Sequence, residues 1–155
     1  MVAVKLNAGV AAWSHILPSP VLETLRFPDR WASALDARDA RIRVLVVEAD
    51  REVVGFAVTR PSGDADGDPA TGELEAFFVD PRNWGLGAGR ALLAAAVATL
   101  RAAGFRDATL WTAAENHRPR RIYEAAGWRT DGTDRHRALG GVEFVEVRYR
   151  IGLSS

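Results

Sequence analysis

The spacing of apolar residues changes period several times along this chain, and each change predicts an element. Leu6, Val10, Trp13, Ile16 and Leu17 recur at helical intervals, so residues 5–17 are expected to form a helix, ended by Pro18 and Pro20. Val21–Leu25 and, beyond Pro28, Trp31–Leu35 continue the helical pattern. The period then shortens. Ile42–Glu48 and Val53–Thr59 are apolar and rich in β-branched residues, and Ala49-Asp50-Arg51-Glu52 between them predicts a hairpin. Residues 60–72 are crowded with Gly, Pro, Ser and Asp and read as a mobile polar loop. A strand over Glu73–Val79, a helix from about 87 to 103 and a strand at Ala108–Thr112 follow. The chain closes with a helix around Tyr123, a strand near Trp128–Thr133, a basic loop Arg135-His136-Arg137 and a strand over Val142–Arg150. Helices and strands interleave in the order ααββ-β-α-β-α-ββ, without an internal repeat.

Composition narrows the classes. At 155 residues the chain suits one domain with a proper core, so 1–155 is read as a single domain. Lys+Arg and Asp+Glu both count 20, so no global field favours nucleic acid or an anionic membrane. With zero cysteines, disulfides, thiolate metal sites and a Cys nucleophile are excluded. His15, His117 and His136 stand apart without ligand spacing, so no metal is expected. No apolar run has the length of a membrane span, and the first residues lack a signal-peptide pattern. The expectation is a soluble cytoplasmic protein.

The most informative stretch runs from Glu73 to Leu93. Its strand stops at Asp80-Pro81, passes Gly85, Gly87 and Gly89, and enters an Ala/Leu-rich helix. A strand that feeds a Gly-rich turn into a helix builds an anion site. Glycine lets the backbone approach closely, first-turn N–H groups lack intrahelical partners, and the helix dipole adds positive potential. A phosphate-bearing ligand held mainly by backbone is therefore expected. Arg90-Ala91 follow Gly89 where a Walker loop needs Lys and Ser/Thr, and Arg90 or Leu92 fills the last slot of a dinucleotide fingerprint. Neither motif fits.

Gly-x-Gly-x-Gly after a strand ending Val79-Asp80-Pro81 instead resembles the coenzyme A pyrophosphate loop of the GNAT superfamily of N-acetyltransferases. Asn116, seven residues before Tyr123, with Gly127-Trp128 after it, resembles that family's second signature. The local physics agrees: Pro119 falls in a first helical turn, and Gly127 suits a left-handed C′ position closed by Trp128. The resemblance implies a three-layer α+β GNAT fold, a mixed, mostly antiparallel twisted sheet of roughly six to seven strands flanked by about four helices. The family opens with a short strand; here only Met1–Val4 is available, so that strand is expected to be missing or vestigial.

What the resemblance implies for the site is specific. Phe77 and Val79 would pair with the pantetheine arm, a backbone N–H near Phe78 would serve the acetyl carbonyl, and Asn116 would cap its helix and touch the cofactor. The amides of Gly85, Leu86, Gly87, Ala88, Gly89 and Arg90 would take the pyrophosphate of acetyl-CoA. Trp84 departs from the Gln or Arg usual before Gly85; it brings an indole donor and no charge, and Arg82 or Arg90 would have to replace the cation. Tyr123 falls where the family places its general acid, although a phenol near 10 donates to a thiol near 8.5 at a cost of about 2 kcal/mol. Glu73 and Glu75, two apart on a strand, are the candidate bases. Such a base is needed because an ammonium is only about one part in a few thousand neutral at pH 7.

The implied activity is acetyl transfer from acetyl-CoA to a primary amine, by direct attack in a ternary complex. The Trp-bearing early helices and the balanced charge favour a small-molecule acceptor. A protein lysine or N-terminus, or a coenzyme-A-binding module with decayed catalysis, are the alternatives. Homodimerisation through the final strands follows from analogy alone.

Overall fold

The structure, a computed structural model, describes residues 2–7, 41–139 and 141–153. Seven strands form one sheet: β1 (Val2–Asn7), β2 (Arg43–Ala49), β3 (Glu52–Pro61), β4 (Thr71–Val79), β5 (Asp107–Ala113), β6 (Arg129–Leu139) and β7 (Val142–Gly152). Their spatial order is β1-β2-β3-β4-β5-β7-β6. Every neighbouring pair is antiparallel except β4 and β5. Two helices are described, α1 (Ala88–Ala102) and α2 (His117–Ala125).

Local chemistry accounts for most of these elements. Asp50 and Arg51 both adopt positive φ (52° and 70°), the combination that a tight hairpin between right-twisted strands requires. In α1, Ala88, Leu92, Leu93, Ala96 and Leu100 recur every three or four residues and are all buried. They pack with Leu45, Val47, Val54, Leu74, Leu110 and Tyr149 of the sheet and with Tyr123 of α2. On the alternate positions Val44, Val46, Phe56 and Val58 are buried as well, so apolar residues leave both faces of the central strands. The end of α2 closes as a Schellman cap. Trp128 N–H reaches Tyr123 O at 3.0 Å, Gly127 N–H reaches Glu124 O at 3.1 Å, and Gly127 sits at φ 97°.

Three expectations are corrected. The first strand is present, not missing or vestigial: Val2–Asn7 pair in continuous register with Ala49–Val44. Lys5, Leu6 and Asn7 therefore belong to a strand rather than a helix; the remainder of that predicted helix and the helical stretches up to residue 40 lie outside the described residues. Arg135-His136-Arg137 is not a loop but part of β6, paired with Glu146, Val145 and Phe144. Residues 62–70 are polar but tied down. Trp111 Nε1 donates to Asp64 Oδ1 at 2.9 Å, and the Arg148 guanidinium donates to both oxygens of Asp66 at 2.7 and 2.8 Å.

Candidate active site

The site begins where two strands part. β4 and β5 pair only from Thr71–Glu73 to Asp107–Thr109, and beyond Glu73 they diverge. The β3–β4 register passes from Val58↔Ala76 to Thr59↔Leu74, so Glu75 is the extra residue of a bulge at the point of divergence. The gap is a cavity of about 440 Å³ whose walls include Phe77, Phe78, Trp111, Thr112, Asn116 and Tyr123. Asp80 N–H donates to Val54 O at 2.7 Å. Since peptide groups alternate sides along a strand, those of Phe78 face β3 and those of Phe77 and Val79 face the gap. The carbonyl-binding amide expected near Phe78 is thereby narrowed to its two neighbours.

At the end of β4 the chain makes one 3₁₀ turn, Pro81–Asn83, and then enters the glycine loop. Gly85 and Gly87 adopt φ of 81° and 84°, which only glycine takes without strain, and a Cβ at either would meet nothing within 4 Å. Gly87 is the N-cap of α1 and supplies no side-chain cap; the first bond of the helix is Ala91 N–H to Gly87 O, 3.0 Å. Among the described residues the amides of Ala88, Gly89 and Arg90 have no acceptor. Open space beside unpaired amides fits a diphosphate.

Trp84 is half exposed, and its Nε1 donates to Val79 O at 3.0 Å, occupying one backbone acceptor on the gap side. Arg118 stacks over its ring at 4.6 Å, so the residue that lacks a charge brings one from α2. Arg82 is paired with Asp80 at 2.7 Å, with its side chain largely exposed. Arg90 is exposed. Leu86, exposed, is at the outer rim of the loop.

Tyr123 is buried, its ring edge-on to Phe77 at 5.7 Å and tilted to Tyr149 at 5.9 Å. Burial, with the neighbouring Tyr149, pushes its phenol well above the ordinary value of 10, so it keeps its proton throughout the working pH range. Asn116 stands at the N-cap position of α2 and lines the gap, but its side chain makes no capping bond, contrary to expectation. Arg120 is spent on structure, bonding Tyr149 Oη at 2.9 Å and the Ala114 carbonyl.

A second cavity of about 380 Å³ adjoins the first and is walled by Arg60, Asp64, Glu73, Glu75, Arg135, Arg137 and Glu146. Leu74, Glu75, Trp111 and Glu146 line both cavities, so the two share a partition. The candidate bases differ in state. Glu75 is paired with Arg60 at 3.3 Å. Glu73 has no ion pair among the described residues. Burial first, then the charges of Asp64 and Glu75, push its carboxyl up to about 7, against the opposing pull of Arg60 and Arg135. Asp64, Trp111, Glu146 and Arg60 were not singled out in the sequence. A signal existed: Glu146 and Arg148 alternate inside an apolar strand, and charges placed there imply internal partners. Among the described residues no group of His, Asp and Glu is placed to hold a metal, and no helix is long and apolar enough to cross a membrane.

Known proteins resemble this chain in sequence and in fold. The profile of the acetyltransferase (GNAT) family matches residues 10–128. Relatives named mycothiol acetyltransferase are 35% identical over 102 residues in Kocuria rhizophila, covering 64% of this chain and 33% of that protein. The counterpart in Paenarthrobacter aurescens is 32% identical over 130 residues, 81% of this chain and 39% of that protein. The chain thus spans roughly a third of the length of the curated relatives it matches. Among solved structures, an N-acetyltransferase from Staphylococcus aureus superposes with a TM-score of 0.78 at 16% identity, over 98% of this chain and 99% of that one. A candidate acetyltransferase from Salmonella typhimurium, determined with its cofactor acetyl-CoA, superposes with a TM-score of 0.77 at 18% identity, over 99% and 95%.

Proposed function

Because this chain belongs to the acetyltransferase (GNAT) family, we propose that it moves the acetyl group of acetyl-CoA to a primary amine of a small molecule, by direct attack within a ternary complex. The observation that carries the reading is Glu73: a carboxyl without an ion-pair partner among the described residues, ionising near 7, in a polar cavity that shares a wall with the gap between β4 and β5. The name of the relatives, mycothiol acetyltransferase, supports a small-molecule acceptor. Zero cysteines leave no residue for a thioester intermediate and suit a reducing, cytoplasmic setting.

Each residue has a task. The unpaired amides from Gly87 to Arg90 hold the pyrophosphate, with Arg118 on Trp84 as the nearby cation. The peptide group of Phe77 and the N–H of Val79, whose carbonyl is held by Trp84, align the pantetheine arm, and one of these N–H groups faces the oxygen that becomes negative as the amine adds. The amine nitrogen forms its bond to the acetyl carbon, its proton passes to Glu73 directly or through water, and the carbon–sulfur bond breaks. Tyr123 keeps its proton and stabilises the departing thiolate by hydrogen bonding rather than by complete transfer. The second reading, a coenzyme-A-binding module without catalysis, is favoured by one observation, the occupation of Val79 O by Trp84.

Titration calorimetry with acetyl-CoA, followed by a free-thiol assay across a panel of amines, tests the proposal. Heat on binding and thiol release that depends on an amine support it. Binding without transfer to any amine supports the second reading, and no heat at all removes both.

A further inference from the structure

The second cavity is lined by three arginines and four carboxylates, and two of the arginines share a single carboxylate oxygen. Arg135 and Arg137 are two apart on β6, hence on one face, and both line the cavity. Each donates its Nε to the same oxygen, Glu146 Oε1, at 2.8 and 3.1 Å. One carboxylate therefore serves two guanidiniums, and their terminal nitrogens have no acceptor among the described residues. The Arg135 guanidinium lies over the Trp111 ring at 4.0 Å, which fixes its plane while leaving its outer edge free. The other charges nearby are engaged: Arg60 pairs with Glu75 at 3.3 Å, and Asp64 turns to Arg148 at 3.3 Å and Trp111 at 2.9 Å. Glu73 stands opposite as the carboxylate without an ion pair, near enough to feel the charge of Arg135.

We propose that this cavity selects acceptors that carry a carboxylate as well as the reacting amine, the carboxylate seated on Arg135 and Arg137 and the amine directed to Glu73. The proposal rests on the acetyl-transfer reading above and specifies its acceptor class. A planar carboxylate matches the two-donor edge of a guanidinium, which a neutral amide or a bare alkyl amine cannot satisfy. A cavity of about 380 Å³ suits an acceptor the size of an amino acid or a small conjugate of one. The Arg135 and Arg137 side chains are 33% and 43% exposed, so an acceptor lacking the anion forgoes charge-assisted bonds rather than stranding buried donors, which costs on the order of ten-fold in kcat/KM.

The test uses matched acceptors on the full chain. Acetyl-CoA binding is measured first by calorimetry. Free-thiol release is then followed with α-amino acids, their carboxamides and the corresponding decarboxylated amines. The carboxylate members should exceed their amides at least about ten-fold in kcat/KM. Arg137→Gln should bring that ratio close to one while the acetyl-CoA heat is retained, which also shows that the variant is folded. Arg137→Lys, which restores a point charge but no fork, should recover part of the ratio. Amides that match or exceed the acids overturn the inference. So does an unchanged ratio in Arg137→Gln. Acetyl-CoA binding with no carboxylate-bearing amine acetylated overturns it while leaving the cofactor reading intact. Absence of the acetyl-CoA heat strikes that reading itself, and the inference falls with it.

Discussion

A carboxyl that ionises near pH 7 inside a cavity makes activity and stability respond to pH in opposite directions. Burial and the charges of Asp64 and Glu75 raise Glu73 from 4.5 to about 7 in the folded chain. The folded state therefore binds a proton that the unfolded state has lost, so this group's contribution to stability is full below about 4.5 and declines as pH rises through 7. In the role of base proposed for it, Glu73 works only when ionised, so kcat/KM should rise through that same range. Glu73→Gln should lower turnover by about 10²–10⁴. The same variant should melt at a higher temperature than wild type at pH 8 and at a similar one near pH 4.5; equal melting at pH 8 would refute the buried charge. At Tyr123 the raised phenol makes complete proton transfer to a thiolate costly, leaving hydrogen bonding as the available contribution. Tyr123→Phe should reduce kcat by on the order of ten- to a hundred-fold, with little change in KM for acetyl-CoA; full activity would remove Tyr123 from the reaction. Strand spacing nominated Glu73 and Glu75 together. What separates them is burial first and then the charges of residues 60, 64 and 135, which only the folded sheet brings together, so no local pattern could reveal it.

Elements were legible where the pattern was dense and misread where it was short or polar. The hairpin, β4, α1 and the cap of α2 follow from alternation, helical spacing and glycine placement. Val2–Asn7 is only six residues long, and its Leu6 also fits a helical series with Val10 and Trp13. Its strand character comes from pairing with β2, a tertiary effect that overrides local spacing. β6 lies at the edge of the sheet, and Arg129-Thr-Asp-Gly-Thr-Asp-Arg-His-Arg137 carries polar residues on both faces. An edge strand with few buried positions need not alternate, so the sequence there resembles a loop. Glycine spacing inside strands carries information of another kind. A Cβ at Gly55 would stand 2.4 Å from Phe78 O and 3.0 Å from Val47 Cγ1, so β3 can approach β4 there only without a side chain. Gly55→Ala should lose about 1–3 kcal/mol in denaturant unfolding. Gly152→Ala, where a Cβ meets nothing within 4 Å, should stay within about 0.5 kcal/mol of wild type. Equal effects at the two positions would contradict the close approach.

Across the molecule, Arg148 links three regions that are distant in sequence. It rises from β7 with its side chain 5% exposed. Its Nε donates to Asp131 at 2.7 Å and Nη2 to Thr133 at 3.1 Å, both on β6, while its fork holds Asp66 and Nη1 reaches Asp64 at 3.3 Å. The loop of residues 62–70, which carries the Asp64 wall of the second cavity, is thereby fixed against the far side of the sheet. Burial would raise the Asp131 carboxyl, but the bonds from Arg148 and Thr133 outweigh it and hold it below the ordinary 3.8. Asp66 is lowered chiefly by its bonds to Arg148. Carboxylates lowered in the folded state stabilise above their unfolded pKa, and that stabilisation is lost as pH falls through the lowered value. Arg148→Met should therefore cost about 3–5 kcal/mol at pH 7, since Asp64 and Asp131 lose the cation they were buried against. As pH falls from 6 to 3 the wild-type urea midpoint should drop and that of the variant should change less, so the two approach each other. A constant gap between them would show that the guanidinium acts through packing alone. Releasing the loop should also raise KM for the acceptor more than KM for acetyl-CoA, because Asp64 borders the second cavity and the glycine loop lies beyond the first.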